Sequence, residues 1–193
     1  MKVFDSLSDV QAVDQLRLGA IGVIPTDTVY GLVARAQDAA AVQALYAAKP
    51  RERQPGTIVA ANIHQLHELG FAYHDLHVAD RYWPDALSVV LEAAQVPPYL
   101  KADLPDLAVR IPNHHDLLTL LQQTGPLMTT SANLPSHPTA TTITEAFGYF
   151  GDTIDFYVDG GAIKNHQPST IVRINNGSLI VLRQGAVTIS PSS

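Results

Sequence analysis

Three stretches of this chain gather side chains that can hold or align a ligand, and none of them contains a nucleophile with an identifiable base. The first, Pro25-Thr26-Asp27-Thr28-Val29-Tyr30-Gly31-Leu32, puts hydroxyls, a carboxylate and a tyrosine just after an apolar run. It reads either as a site delivered by the carboxyl end of a strand, where ligands sit in open α/β sheets, or as a polar connector. The second, Lys49-Pro50-Arg51-Glu52-Arg53-Gln54-Pro55-Gly56, is a proline-stiffened turn whose cations can converge on one anion. The alternative there is a lysine favouring the negative end of a helix, followed by two solvated arginines. The third, Leu127-Met128-Thr129-Thr130-Ser131-Ala132-Asn133, repeats the logic of the first: an apolar strand runs into hydroxyls and an amide. Ser131 lacks the GxSxG elbow of a hydrolase, so hydrogen bonding is its expected role.

Arg110 stands apart, embedded in the apolar run Leu107-Ala108-Val109-Arg110-Ile111-Pro112. A charge there is costly without a partner, and either an anionic ligand group or a structural carboxylate would serve. His64, His67, His74 and His77 invite a zinc reading, but HExxH is absent and so is any cysteine, and exposed helix histidines are the expectation. No metal ligand is assigned.

The elements that position these residues follow from periodicity and punctuation. Ser8 is a candidate cap for a helix carrying Val10, Val13 and Leu16 and closed by Gly19, and Ala20 to Ile24 reads as a buried strand. Asp38 caps a second helix with Val42, Leu45 and Tyr46 inward and Lys49 in its last turn. Further strands are expected at Thr57-Ile58-Val59-Ala60, Leu87 to Leu91, Leu107 to Pro112, Leu127 onward, Phe156 to Val158, Ser169 to Ile174 and Leu179 to Arg183. Asn176-Gly177 signals a hairpin between the last two. Asn113 is a candidate cap for a helix with Leu117, Leu118, Leu120 and Leu121 as core, and Thr142 with Glu145 has capping-box spacing. Gln95 to Asp106, rich in proline, is expected to be a mobile surface loop or lid. Strands alternating with helices indicate an α/β fold with a mixed sheet.

The 193 residues predict a single domain over 1–193, with a flexible Ser/Pro tail at 186–193. No apolar run spans a bilayer and no signal core opens the chain, so no membrane partner and a cytoplasmic location are expected. A formal charge of −6 argues against broad nucleic-acid binding while leaving room for a local basic pocket, with phosphate as the anion to test.

The constellation resembles the YrdC-type threonylcarbamoyl-AMP synthases in their short, single-domain form. Its carriers are Pro25-Thr26-x-Thr28-Val29-Tyr30-Gly31-Leu32, Lys49-x-Arg51, Trp83-Pro84, Ala108-Val109-Arg110, Ser131-Ala132-Asn133, Asp159-Gly160-Gly161, Ser169-Thr170-Ile171-Val172 and Leu182-Arg183-x-Gly185. The resemblance implies a twisted mixed β-sheet with flanking helices around a deep basic cavity. It implies synthesis of L-threonylcarbamoyladenylate from L-threonine, bicarbonate and ATP with release of pyrophosphate. The product would pass to tRNA threonylcarbamoyl-transfer proteins for modification of adenosine 37 (t6A), with weak tRNA binding as a further expectation. Mg²⁺ is expected to accompany ATP on phosphate oxygens and water.

Carried over position by position, Lys49, Arg51, Ser131 and Asn133 take catalytic roles. Those four with Thr139 and Arg183 bind ATP, while Thr28, Arg110, Thr129 and Ser169 bind threonine. Tyr30 is expected to be a pocket wall and Gly31 to let the backbone turn. Departures from the family pattern occur at Gln54-Pro55-Gly56-Thr57, Ala60, Asp85-Ala86, Pro135-Ser136 and Asp106, the last standing where a small hydroxyl residue near the nucleotide is more usual. A divergent paralogue that binds nucleotide or RNA without this synthesis is the second reading, and a related carbamoyl-transfer role the third.

Overall fold

The computed structural model describes residues 2–49, 55–101, 103–164 and 167–189. Ten strands form one mixed sheet: β1 (Lys2–Phe4), β2 (Gly22–Pro25), β3 (Tyr30–Arg35), β4 (Thr57–Val59), β5 (Leu87–Glu92), β6 (Asp106–Arg110), β7 (Leu127–Ser131), β8 (Phe156–Val158), β9 (Thr170–Asn175) and β10 (Ser178–Arg183). Their spatial order is β1-β8-β2-β3-β7-β4-β6-β5-β9-β10. Four pairs are parallel (β1 with β8, β8 with β2, β4 with β6, β5 with β9) and the other five are antiparallel.

The helices are α1 (Val10–Arg17), α2 (Ala39–Ala48), α3 (Ile63–Glu68), α4 (Tyr73–Asp80), α5 (Pro98–Lys101), α6 (His115–Thr124) and α7 (Ile143–Phe150). Each begins where a side chain or a turn can satisfy its first amides. Asp38 and Thr142 cap α2 and α7 as expected, whereas α1 is capped by Asp9 and α6 by the ring of His114, each one residue past the expected cap. Glu145 bonds back to the amide and hydroxyl of Thr141. No helix among the described residues is long and apolar enough to cross a membrane.

Burial divides the helices between the two sides of the sheet. Val42 and Leu45 of α2, Leu66 of α3, Leu76 of α4, Leu100 of α5 and Phe150 of α7 join Leu32, Ile58, Met128, Val109 and Val89 in the larger core cluster. Val13 and Leu16 of α1 and Leu117, Leu120 and Leu121 of α6 join Val33, Val59 and Leu127 in a second cluster. Each such leucine contributes roughly 1.5–3 kcal/mol by leaving water. Side chains alternate across a strand, so Gly31, Thr57 and Thr129 share the face of Val33, Val59 and Leu127. Helices α1 and α6 cover only one end of that face, and the other end is the floor of a cavity.

Several expectations change. The first stretch is the turn of an antiparallel hairpin between β2 and β3, a second strand the sequence reading did not assign. His64 and His67 fall on one short helix, α3, and His74 and His77 on another, α4. Where the sequence predicts a surface loop or lid over 95–106, helix α5 forms, Val96 and Leu100 are buried, and β6 begins at Asp106. At the carboxyl end of the described residues, Val187 and Ile189 pack on the core, and Val187 exchanges hydrogen bonds with Thr170 Oγ1. Asn176 and Gly177, at φ 48° and 80°, make the expected hairpin.

Candidate active site

The cavity has a volume of about 450 Å³ and is walled mainly by hydroxyls, glycines and small apolar groups. Among the described residues its hydroxyls come from five places: Thr26 and Thr28 in the β2–β3 turn, Thr57 in β4, Thr129, Thr130 and Ser131 in β7, Thr139 in the β7–α7 loop and Ser169 in the β8–β9 loop. Among the described residues, two guanidinium groups, from Arg110 and Arg183, face it. Thr28, Arg110, Thr129, Ser131, Thr139, Ser169 and Arg183 therefore converge on one cavity although they are spread from the first strands to the last.

Glycine makes room for that cavity. A Cβ on Gly31 would lie 3.0 Å from Thr129 Oγ1 and 3.3 Å from Thr26 Cγ2, so the residue keeps the floor low rather than turning the chain. Gly56, at one of the departures from the family pattern, passes so close to β7 that a Cβ would stand 2.3 Å from the Thr129 carbonyl oxygen.

The β2–β3 turn is cross-braced. Thr26 Oγ1 donates to the Val29 carbonyl at 2.6 Å and accepts from the Val29 amide at 3.2 Å. Tyr30, expected as a pocket wall, is instead fully buried. Its hydroxyl donates to the Gly161 carbonyl at 2.8 Å and accepts from the Gly160 amide at 2.9 Å, tying the Asp159-Gly160-Gly161 turn to β3. Burial raises its pKa above the ordinary phenol value.

Arg110 has the structural carboxylate that its embedded charge calls for. On its protein side Nη2 lies 3.0 Å from Asp27 Oδ1, and Nη1 donates to Thr28 Oγ1 at 3.3 Å. The Asp27 contact is an ion pair without an aligned hydrogen bond, and among the described residues no well-formed hydrogen bond reaches either Asp27 oxygen or Arg110 Nε. Each side chain is only 5% exposed. Burial pushes the Asp27 carboxyl up, with Arg110 offsetting part of the shift, and burial lowers Arg110 while Asp27 supports its charge. On its other side Arg110 faces the cavity.

Lys49 and Asn133 stand behind the wall instead of lining it. The Lys49 ammonium, 2% exposed, donates to the Ser131 carbonyl at 2.5 Å, to Asn133 Oδ1 at 2.8 Å and to Ser131 Oγ at 3.3 Å. Ser131 Oγ donates to Asn133 Oδ1 at 2.6 Å, and Asn133 Nδ2 donates to the Leu134 and His137 carbonyls. A buried ammonium thereby holds the strand end that presents Ser131 to the cavity. Arg51 lies outside the described residues.

Opposite this network, Arg183 Nη2 donates to the Ser169 carbonyl at 2.7 Å and meets Ser169 Oγ at 3.3 Å. Ser169 Oγ also bonds Ser88 Oγ at 2.9 Å, which makes Ser88 a supporting residue that sequence reasoning missed. A serine inside the apolar run Leu87 to Leu91 was the available signal. No His, Cys, Asp and Glu cluster fit for a metal occurs among the described residues, and His64 and His67 pair with Glu68 and Tyr73.

The Sua5_yciO_yrdC family model, described as "Telomere recombination", matches residues 14–185. Threonylcarbamoyl-AMP synthase of Pseudoalteromonas translucida is 35% identical over 185 residues, covering 91% of this chain and 97% of its own. The Bacillus subtilis enzyme of that name is 34% identical over 184 residues, covering 92% of this chain but 53% of its own length. Among solved structures, P. abyssi Sua5 complexed with L-threonine superposes with a TM-score of 0.83 at 29% identity, covering 96% of this chain and 58% of that one.

Proposed function

Because the chain belongs to the Sua5/YciO/YrdC family, we propose that its cavity makes L-threonylcarbamoyladenylate from L-threonine, bicarbonate and ATP. The observation that carries the reading is Arg110: a guanidinium in a buried ion pair that still faces a cavity otherwise rich in hydroxyls. Such a group binds a carboxylate in two-pronged fashion and discriminates by charge and shape. The threonine carboxylate meets Arg110, and the hydroxyls of Thr28, Thr129 and Ser169 receive the rest of the amino acid.

The threonine amine and bicarbonate give a carbamate with loss of water. A carbamate oxygen attacks the α-phosphorus of ATP, the bond to the β-phosphate oxygen breaks, and pyrophosphate leaves with the electron pair. No protein nucleophile is needed; the protein aligns the partners and offsets charge. Arg183 and Arg51 supply cations to the phosphates, Ser131 and Thr139 supply hydrogen bonds, and Lys49 with Asn133 holds Ser131 in place and adds positive potential behind it. Mg²⁺ enters as the ATP complex on phosphate oxygens and water. The product supplies the threonylcarbamoyl group for t6A in tRNA through downstream transfer proteins, and the cytoplasm, where these substrates meet, is the compartment this reading assigns. No feature of the described residues favours the nucleotide- or RNA-binding paralogue.

The test is pyrophosphate release by the purified protein with Mg²⁺, coupled to mass detection of the threonylcarbamoyl adenylate. Release is expected to require both threonine and bicarbonate. Release no greater than with ATP alone overturns the reading.

A further inference from the structure

Asp106 is the only acidic side chain among the described residues lining the cavity. Every ligand proposed for this cavity carries negative charge, so an unbalanced carboxylate in its wall opposes binding. The carboxylate is balanced from two strands away. Arg173 of β9 reaches over β5, and its Nη2 meets Asp106 Oδ2 of β6 at 2.5 Å. The register explains the reach: Val90 of β5 lies between Ala108 of β6 and Arg173 of β9, which places Arg173 on the face that also carries Asp106, Val90 and Ile171 toward the cavity. Glu92, opposite Asp106 in the same register, adds a second negative charge nearby. The pair sits in partial solvent, with Arg173 47% and Asp106 28% exposed, so it is too exposed to be a major source of stability.

From this geometry we infer that Arg173 is a positioning residue for nucleotide binding, acting through Asp106: it neutralises and turns aside the one acidic group that the described residues place in an anion-binding wall. The inference rests on the ATP reading above. In this chain Asp106 and Arg173 form a compensated unit. Losing the arginine alone turns Asp106 into an electrostatic barrier, while losing both removes the barrier together with its counter-charge. Arg173 makes this contribution without touching the nucleotide.

A double-mutant cycle reads it directly, by isothermal titration of ATP and of inorganic pyrophosphate into wild type, Arg173→Gln, Asp106→Asn and the double variant. Titration does not depend on turnover, so a protein that binds ATP but makes no adenylate would sink the synthase reading and leave this one standing. Arg173→Gln is expected to weaken both ligands about tenfold, as unbalancing one charge near a polyanion should. Adding Asp106→Asn to it is expected to restore binding to within about twofold of wild type. Raising NaCl should shrink the Arg173→Gln defect, and KM for threonine should stay put while KM for ATP rises. A defect that persists in the double variant overturns the inference in favour of direct contact by Arg173. Unchanged binding in Arg173→Gln, or no binding of either ligand by wild type, overturns it outright. Thermal unfolding of all four proteins separates a folding loss from a binding loss, and a fall in binding that tracks unfolding also counts against it.

Discussion

Arg110 Nη2 lies 3.0 Å from Asp27 Oδ1, with each side chain 5% exposed, so a strand and a hairpin turn meet through a buried ion pair at the wall of the cavity. The pair keeps the guanidinium charged and in place before any ligand arrives. Breaking such a pair costs more than the pair contributes, because the remaining charge stays buried.

Arg110→Gln is therefore expected to destabilise the fold by roughly 3–5 kcal/mol, and Asp27→Asn with Arg110→Gln by clearly less than that single change. Urea unfolding of the three variants measures it. The pH dependence has a definite sign. Asp27 already has a raised pKa from burial, and removing Arg110 takes away the main opposing influence. An acid whose folded pKa is raised holds its proton longer in the folded chain, so stability falls as pH climbs from the unfolded value of 3.8 toward the folded one. Relative to wild type, Arg110→Gln should be less destabilised at acidic than at alkaline pH, and a flat difference between the two would refute the assignment.

Lys49→Ala should lower turnover by about 10²–10³, since it removes the cation that holds Ser131 and Asn133 together. Lys49→Arg should not rescue it. The site is 2% exposed, and the acceptors that converge there among the described residues include the Ser131 carbonyl, Ser131 Oγ and Asn133 Oδ1, an arrangement that suits an ammonium, not a planar fork. Steady-state kinetics of the two variants decide the matter, and full activity in Lys49→Arg would show that charge alone suffices.

Gly31→Ala tests the floor of the cavity. The added methyl would stand 3.0 Å from Thr129 Oγ1, tighter than an ordinary contact, so Thr129 must shift. The expected outcome is a raised KM for threonine with a smaller change in KM for ATP. Equal effects on both substrates would place Gly31 away from the amino-acid side.

Tyr157 offers an alkaline probe remote from this chemistry. Burial, with Asp152 adding to it, pushes its phenol up to about 12, and its hydroxyl donates to the Gly151 carbonyl at 2.7 Å. The folded chain keeps this proton where the unfolded chain loses it, so stability should decline as pH rises from 10 toward about 12. Thermal melts over that range should show the decline, and Tyr157→Phe should reduce it; an identical slope in the variant would remove Tyr157 as its source.

Much of this molecule is decided locally and was legible from its residues. Asp38 and Thr142 cap helices because a short polar side chain before an apolar period satisfies the first amides wherever the helix lies. Asn176-Gly177 makes a hairpin because those two residues accept the positive φ that the turn demands. The strands that end in Ser131 and Arg110 could be read from apolar runs, and of the residues the resemblance pointed to, Thr28, Arg110, Thr129, Ser131, Thr139, Ser169 and Arg183 line one cavity. What the chain did not disclose was pairing at a distance. Asp27 meets Arg110, Lys49 turns to Ser131 instead of the open cavity, and Arg173 reaches Asp106, each across at least 67 positions. Those meetings depend on a strand order in which β7 stands between β3 and β4, and β5 between β6 and β9. No local propensity encodes that order; it is set by which faces α1 and α6 leave uncovered and by which strands pair to bury the rest.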